Sequence, residues 1–287
     1  MISAIIINYN GKRFVDKLAD SLNSQSSPYD EVVIVDNNST DGSGELLFKE
    51  LRNCVLLKMS VNKGFASAVN LAVNQCSGEN IMLLNNDLYI DVCFIERALK
   101  NIDENDKTFF APLVMDYSGE RIDSAGDEIS AGFRPVKRFS GQKRENIKRE
   151  MVKGFSMSAA YFRKKDFISL CGLDEKFFMY FEDVDFSIRA SQRGYTILFT
   201  PECVAYHYVS AGTKSIGKGL YSPQKTYWEA RNRVWAFFKS SYAKNPLKVM
   251  EFIFGTASSM RFHAVKSKYI LEYMEGLIAS LNPGRRK

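Results

Sequence analysis

Several familiar building blocks are missing from this 287-residue chain. It has only two histidines, and its five cysteines (Cys54, Cys76, Cys93, Cys171 and Cys203) are odd in number and form no C-x-x-C pair. That spacing argues against a zinc site and for reduced, buried thiols in a cytoplasmic protein. No stretch reaches the roughly 18 apolar residues of a membrane span. The opening MISAIIINYNGK lacks a basic lead, so it reads as a first β-strand and not a signal peptide. No G-x-G-x-x-G follows that strand and no G-x-x-x-x-G-K-[ST] occurs anywhere, which weakens a dinucleotide or P-loop reading. There is no internal repeat and no low-complexity tract.

What is present is an ordinary globular composition, 45% hydrophobic and 25% charged, long enough for a sizeable core. The net charge of +6 is uneven. Residues 210–287 hold 14 Lys/Arg and 4 Asp/Glu, or +10, which leaves −4 for the rest. A basic end suggests an anionic partner such as a membrane surface, a lipid phosphate or nucleic acid; a solvated helical face is the alternative. Nucleic acid rests on that charge alone and is not expected.

Hydrophobic periodicity predicts alternating strands and helices over the first hundred residues. SAIIIN (3–8), EVVIVD (31–36), CVLLKM (54–59) and NIMLLN (80–85) read as strands, with helices over 14–25, 44–51, 65–76 and 92–102. Short links between them predict a mostly parallel sheet flanked by helices, an α/β fold with ligands beyond the carboxyl ends of the strands. Further on, FFAPLVM is a strand and IDSAGDEISAG a β-hairpin. Residues 132–150 read as a mobile loop over the site, or as a disordered insertion. SMSAAYF (156–162) is a strand, 183–193 a helix with an Asp185–Arg189 pair, and YTILFT and VAYHYV (204–209) are strands. Helices over 226–241, 247–263 and about 265–281 complete the chain, the second with Leu247, Met250, Ile253, Phe254 and Ala257 on one side.

Four stretches carry chemistry. DNNSTDGS (36–43) ends the second strand, where Asp36 suits a pyrimidine or ribose and Asn38 adds a polar contact; plain turn chemistry explains the same residues. Asp87 in LLNNDLY suits a hard cation that also takes substrate phosphates, or caps the next helix. His207 is a structural histidine or a metal ligand beside Asp87. FMYFEDVDF (178–186) sets Glu182, Asp183 and Asp185 against aromatics. It is either an acidic helix start or a general base in a partly desolvated pocket.

Taken together, AIIINYNG, VVIVDNNSTDGS, NKGFASAVN, LLNNDL, GLDEKFFMYFEDVDFSIRA, PECVAYHYVSAG and EARNRVW resemble glycosyltransferase family 2 over about residues 3–235. These are inverting enzymes of the GT-A fold that use nucleotide-diphosphate sugars, and the likeness is nearest to the bacterial rhamnosyltransferase-like branch. The resemblance implies a Rossmann-like GT-A domain over 1–210 and a basic helical extension over 211–287. The domain would have a nucleotide-sugar half (about 1–105) and an acceptor half (about 106–210). It places Asn8, Tyr9, Asn10, Asp36, Asn38, Asn62, Gly64 and Asn86 at the nucleotide. Asp87 and His207 would bind Mg2+ or Mn2+, Asp183 would be the catalytic base, and Glu182 and Asp185 would serve the acceptor. Arg231 and Asn232 would touch the diphosphate. The implied donor is dTDP-rhamnose or a UDP-sugar, and the acceptor a cell-surface glycan or lipid-linked sugar. The basic C-terminal helices fit an acceptor on a lipid diphosphate, or peripheral contact with an anionic inner membrane leaflet. Two features depart from the family pattern. Asn85 stands at the first place of the D-x-D-type motif, and Ser156, Ser158 and Ala159 stand in a usually glycine-rich stretch. A non-catalytic sugar-nucleotide-binding protein of the same fold and a sugar nucleotidyltransferase are the rival readings.

Overall fold

The computed structural model describes residues 1–208, 222–267 and 269–281. The expected domain boundary near 210, the end of the VAYHYV strand and the basic terminus lie outside the described residues.

β-branched runs form the centre of the molecule. Strands β1 (Ile2–Asn8) and β2 (Glu31–Asp36) alternate with helix α1 (Val15–Asn23). After them come α2 (Ser43–Glu50), β3 (Cys54–Lys58), α3 (Phe65–Gln75), β4 (Asn80–Asn85), β5 (Leu88–Ile90) and α4 (Phe94–Glu104). β1 is parallel to both β2 and β4, and β2 is parallel to β3. Residues on β1 point alternately to the two faces of the sheet. Ile5 and Ile7 join Val33, Leu83 and the small-residue face of α3 (Ala66, Ala68, Val69, Ala72) in one core. Ala4 and Ile6 join Ile34, Leu84, Leu18, Leu47 and Phe94 under α1, α2 and α4 in the other. Each such fully buried aliphatic side chain contributes about 1.5–3 kcal/mol.

The second half supplies β6 (Thr108–Asp116), β7 (Ile122–Ser124), β8 (Asp127–Ser130), β9 (Arg134–Lys137), β10 (Glu150–Met151) and β11 (Ala159–Arg163). It continues with α5 (Lys164–Ser169), α6 (Glu182–Gln192) and β12 (Thr196–His207). The main sheet runs β10-β12-β6-β11-β4-β1-β2-β3, with β5 on β12 and β7 on β6. It is more mixed than its first hundred residues suggest. β11 enters antiparallel to both β4 and β6 and is the strand that joins the two halves. The two strands expected over 195–209 are one strand, β12, with a register shift between Thr200 and Val204.

The expected hairpin at IDSAGDEISAG is divided: β7 pairs with β6, while β8 pairs with β9 in a separate two-stranded sheet. Residues 132–150 are accordingly no free loop. β9 is paired backbone, and the segment is tied down by ion pairs from Arg138 to Glu150 and Arg149 to Glu202.

Helices α7 (Pro223–Lys239), α8 (Pro246–Phe262) and α9 (Ile270–Ser280) complete the described chain, with a short π-helical turn between the last two. They pack onto the main body through Phe133, Phe177, Phe181, Val184, Ile188, Phe237 and Phe252. No helix among the described residues is long and apolar enough to cross a membrane. The five cysteines are unpaired. Only Cys76 and Cys203 are fully buried, and Cys171 is exposed, so burial of the thiols holds in part.

Candidate active site

The crevice lies where β1, β2 and β4 end and β12 returns. At its nucleotide side, Asn8 is completely buried. Its amide donates to Asp36 Oδ1 (2.8 Å) and Ser43 Oγ (2.8 Å), and its carbonyl accepts from Asn86 Nδ2 (2.8 Å). Asn8 thus holds Asp36 and Asn86 in place. The expectation that its own side chain lies along a nucleotide is corrected, because both ends of the amide are already bonded inside the protein. Asp36 is nearly buried and also accepts from the Ser39 backbone at 3.2 Å. Gly44 lets α2 approach it; a Cβ there would sit 2.9 Å from the Asp36 carboxyl carbon.

Tyr9, Asn10 and Asn38 stand exposed on the rim, the two asparagines with left-handed backbone (φ 49° and 67°) that asparagine tolerates. Asn62 Oδ1 caps the Gly64 amide at 2.9 Å, and Asn37 clasps the same loop through Lys63 N (3.0 Å) and Gly64 O (3.1 Å). Gly64 has φ +87°, and a Cβ there would lie 2.3 Å from the Phe178 carbonyl. That carbonyl accepts from Phe65 N at 2.6 Å, so the loop before α3 is fastened to the segment that leads into α6.

Asp87 follows β4, and His207 ends β12. Their side chains meet: His207 Nε2 lies 3.4 Å from Asp87 Oδ2, and Nδ1 lies 2.9 Å from Asp123 Oδ2. Burial disfavours a charged imidazole here. The bonds to Asp123 and Asp87 and their negative charges outweigh it and push the His207 pKa up to about 9. Lys137 Nζ bonds both oxygens of Asp123 (2.9 and 2.8 Å). Burial works against the ionised Asp123, yet His207 and Lys137 hold its pKa below the ordinary carboxylate value. The charge of Lys137 also reaches Asp183 and Asp127. Two bonded sets therefore line the crevice, Asp36, Asn8 and Asn86 in one and Asp87, His207, Asp123 and Lys137 in the other, and the charge of Lys137 acts on Asp183. Asp123, Asp127 and Lys137 were missed in the sequence. The one available signal was a carboxylate set within the otherwise apolar and small IDSAG.

Asp183 opens α6. Its approach is strained: Phe178, Tyr180 and Phe181 all have positive φ (62°, 68°, 70°), a conformation that costs non-glycine residues about 1–3 kcal/mol each. Burial raises the Asp183 pKa to about 6 despite the Val184 amide and Lys137, which favour the charged form. Burial and the charge of Asp183 raise Glu182 well above the usual range. Two adjacent carboxyls with separated affinities for a proton are what acid–base chemistry requires. Glu182 Oε2 is buried without a hydrogen-bond partner among the described residues.

Three assignments are corrected. Asp185 is 3% exposed and pairs with Arg189 (2.8 Å) and Lys239 (2.8 Å), so it anchors α6 and offers nothing to an acceptor. Arg231 is 2% exposed, stacked between Trp228 and Trp235, and donates to the carbonyls of Lys176 (3.0 Å) and Phe177 (3.1 Å). Asn232 donates to the carbonyls of Phe177, Met179 and Tyr180, each at 2.8 Å. Neither side chain is free to meet a diphosphate. They clamp the strained segment that presents Asp183.

Residues that would hold a divalent cation can be judged on their unmet bonding. Asp87 Oδ1 and Asn85 Oδ1 are both buried acceptors without partners among the described residues. Buried polar atoms are normally satisfied, so two orphans beside a carboxylate–imidazole pair fit a hard cation. No group of three or more His, Cys, Asp or Glu among the described residues completes a metal site alone. This agrees with ions that draw their remaining ligands from substrate phosphates.

A crevice beyond the strand ends of a mixed α/β sheet is the ligand-binding place of such a fold. Residues 3–170 match the family Glycosyl transferase family 2, and the chain belongs to that family. It is similar to the N-acetylglucosaminyl-diphospho-decaprenol L-rhamnosyltransferase of Mycobacterium tuberculosis, 23% identical over 238 residues, which cover 74% of this chain and 78% of that protein. It is also similar to glycosyltransferase GlyA of Streptococcus pneumoniae, 31% identical over 105 residues, 36% of this chain; the chain spans only 15% of GlyA. Among solved structures, S. aureus TarS 1-349 in complex with UDP-GlcNAc superposes with a TM-score of 0.65 at 19% identity, covering 99% of this chain and 81% of that one. The mannosyltransferase PcManGT from Pyrobaculum calidifontis, in complex with GDP-Man and Mn2+, gives 0.59 at 17% identity, covering 99% and 76%. The fold is GT-A.

Proposed function

We propose that this chain transfers a sugar, with inversion, from a nucleoside-diphosphate donor to a hydroxyl of a glycan or lipid-linked acceptor. dTDP-rhamnose or a UDP-sugar is the donor class that suits the rhamnosyltransferase likeness. The reading is carried by one observation: Asp183 stands at a strained helix start, within reach of the charge of Lys137, which is itself bonded to Asp123 beside the His207–Asp87 pair.

Asp36, held by Asn8 and Ser39, faces the base or ribose, and Tyr9, Asn10, Asn38 and Asn62 line that side. Asp87 and His207 would hold Mg2+ or Mn2+, with the unpartnered Asn85 Oδ1 as a further oxygen. Such an ion would offset negative charge on the diphosphate. Asp123 orients the His207 imidazole through its bond to Nδ1. Asp183 accepts the proton of the acceptor hydroxyl. The acceptor oxygen bonds to the anomeric carbon as the bond from that carbon to the diphosphate oxygen breaks, and the nucleoside diphosphate leaves. Glu182, beside Asp183, would serve the acceptor through the carboxyl oxygen that is without a partner among the described residues. A single base and one displacement give inversion.

The test is a donor panel of dTDP-rhamnose, UDP-GlcNAc and GDP-mannose with Mn2+, read first by thermal shift and then by release of nucleoside diphosphate with acceptor. Stabilisation scales with occupancy, so one donor class raises the melting temperature above the rest. No shift with any donor would refute the nucleotide-sugar assignment.

A further inference from the structure

Helix α8 has its amphipathicity reversed. Phe252 is its fully buried residue, held against Phe237 by stacked rings 4.0 Å apart. The stripe Leu247, Met250, Ile253 and Phe254 points the other way and is 50–74% exposed. Val265 (72%) extends it beyond the helix, and Leu271 and Ile278 on α9 are 74% and 63% exposed. These helices are firmly seated on their inner sides. Gly276 of α9 abuts the Tyr227 carbonyl, Trp235 bonds Ser280 O at 2.9 Å, and Arg134 bonds Gly255 O at 2.7 Å. The exposed faces are therefore a fixed surface and not the edge of a loose segment. Seven large apolar side chains left bare on firmly seated helices mark an interaction site.

Charge decides what covers it. Between 244 and 281 the chain carries Lys244, Lys248, Arg261, Lys266 and Lys268 against Glu251, Glu272 and Glu275, a net +2, and three more basic residues stand at 285–287. Arg261 is exposed and in line with the stripe at helical spacing, seven residues after Phe254. A second protein copy packed on this face would have to bury that guanidinium, at the cost of its hydration. At a bilayer surface, long basic side chains reach the phosphates while the apolar residues enter the acyl boundary.

We infer that the outward faces of α8 and α9 dock on an anionic lipid bilayer, with Leu247, Ile253, Phe254 and Leu271 entering the interface. This deepens the lipid-linked reading of the acceptor and rests on it for its purpose only. α7, which carries both helices, also holds the carbonyls of Phe177, Met179 and Tyr180 just before Asp183.

The experiment is flotation with vesicles of phosphatidylcholine alone or with 30 mol% phosphatidylglycerol, without donor or acceptor, so that its failure is separate from any failure of the transferase reading. The full chain is compared with Ile253→Asp/Phe254→Asp and with Arg261→Glu/Lys266→Glu, and all three are checked by melting temperature and by light scattering for mass. The wild type floats with the anionic vesicles. Each double variant loses about tenfold or more in partitioning while its melting temperature holds. Wild-type protein that stays at the bottom overturns the inference, as do equal flotation on neutral vesicles and variants that float unchanged. A wild-type dimer that Ile253→Asp/Phe254→Asp converts to monomer assigns the face to a second copy and overturns it as well.

Discussion

Replacing Asp183 by asparagine should damage activity and improve stability together. The carboxylate sits where its charge is poorly solvated, and its pKa rises from 3.8 to about 6. A carboxyl whose folded pKa is raised costs nothing below its unfolded pKa, and the cost grows as pH climbs from there to the folded value. Above pH 6 it is complete, about 2 pKa units or ~3 kcal/mol as a ceiling. Asparagine has the same shape and its carbonyl can still accept from Val184 N, now 2.8 Å from Oδ1. It carries no charge to desolvate, although it forgoes the attraction of Lys137. Asp183→Asn is therefore expected to melt about 3–8 °C higher than wild type at pH 8. The gain should shrink by roughly half or more at pH 4.5, where the wild-type carboxyl is already protonated in the fold. Turnover should fall about 10²–10⁴-fold, the usual worth of a general base, with donor binding retained. Scanning calorimetry at both pH values and single-turnover assays measure the two effects. A variant that melts lower at pH 8, or gains equally at both pH values, would show that the carboxyl is not held under desolvation strain.

Other substitutions probe the supports of the site. Asn232→Ala strips donors from three carbonyls and is expected to cost about 2–4 kcal/mol and to lower kcat more than it raises the donor KM, measured by denaturation and steady-state kinetics. Gly64→Ala forces a Cβ to within 2.3 Å of the Phe178 carbonyl at φ +87° and should destabilise by about 2 kcal/mol or more, seen in urea melts; an unchanged midpoint would contradict the clasp between the two loops. Asp123→Asn leaves His207 without the carboxylate on its Nδ1 and should weaken Mn2+ binding about 10–100-fold by titration calorimetry in the presence of nucleoside diphosphate. Equal affinity in that variant would remove Asp123 from the cation's support.

The first four strands and their helices were legible because β-branched runs and 3.6-residue spacing speak directly in sequence. The antiparallel entry of β11 was not, since SMSAAYF has the same period whichever way it runs. Asp87 and His207 could be suspected from their places at strand ends. Asp123 and Lys137 could not, because what makes them part of the site is proximity to His207 and Asp183 across 84 and 46 residues of chain. Arg231 and Asn232 were noticed for good reason and misassigned for one too. A cation and an amide look like anion binders until the carbonyls of residues 176–180 are seen to occupy them. The apolar spacing of Leu247, Met250, Ile253 and Phe254 was visible as well, but periodicity does not say which side faces out.

The placement of β11 has a consequence for dissecting the protein. β4 and β6 do not touch in the sheet path; the five residues Ala159–Arg163 stand between them. A fragment cut near residue 105 would keep three parallel neighbours yet expose the whole β4 border, a row of bare amides and carbonyls ready to recruit foreign strands. The first half of the chain is therefore not a separable module, and its smallest self-sufficient piece must extend past residue 163.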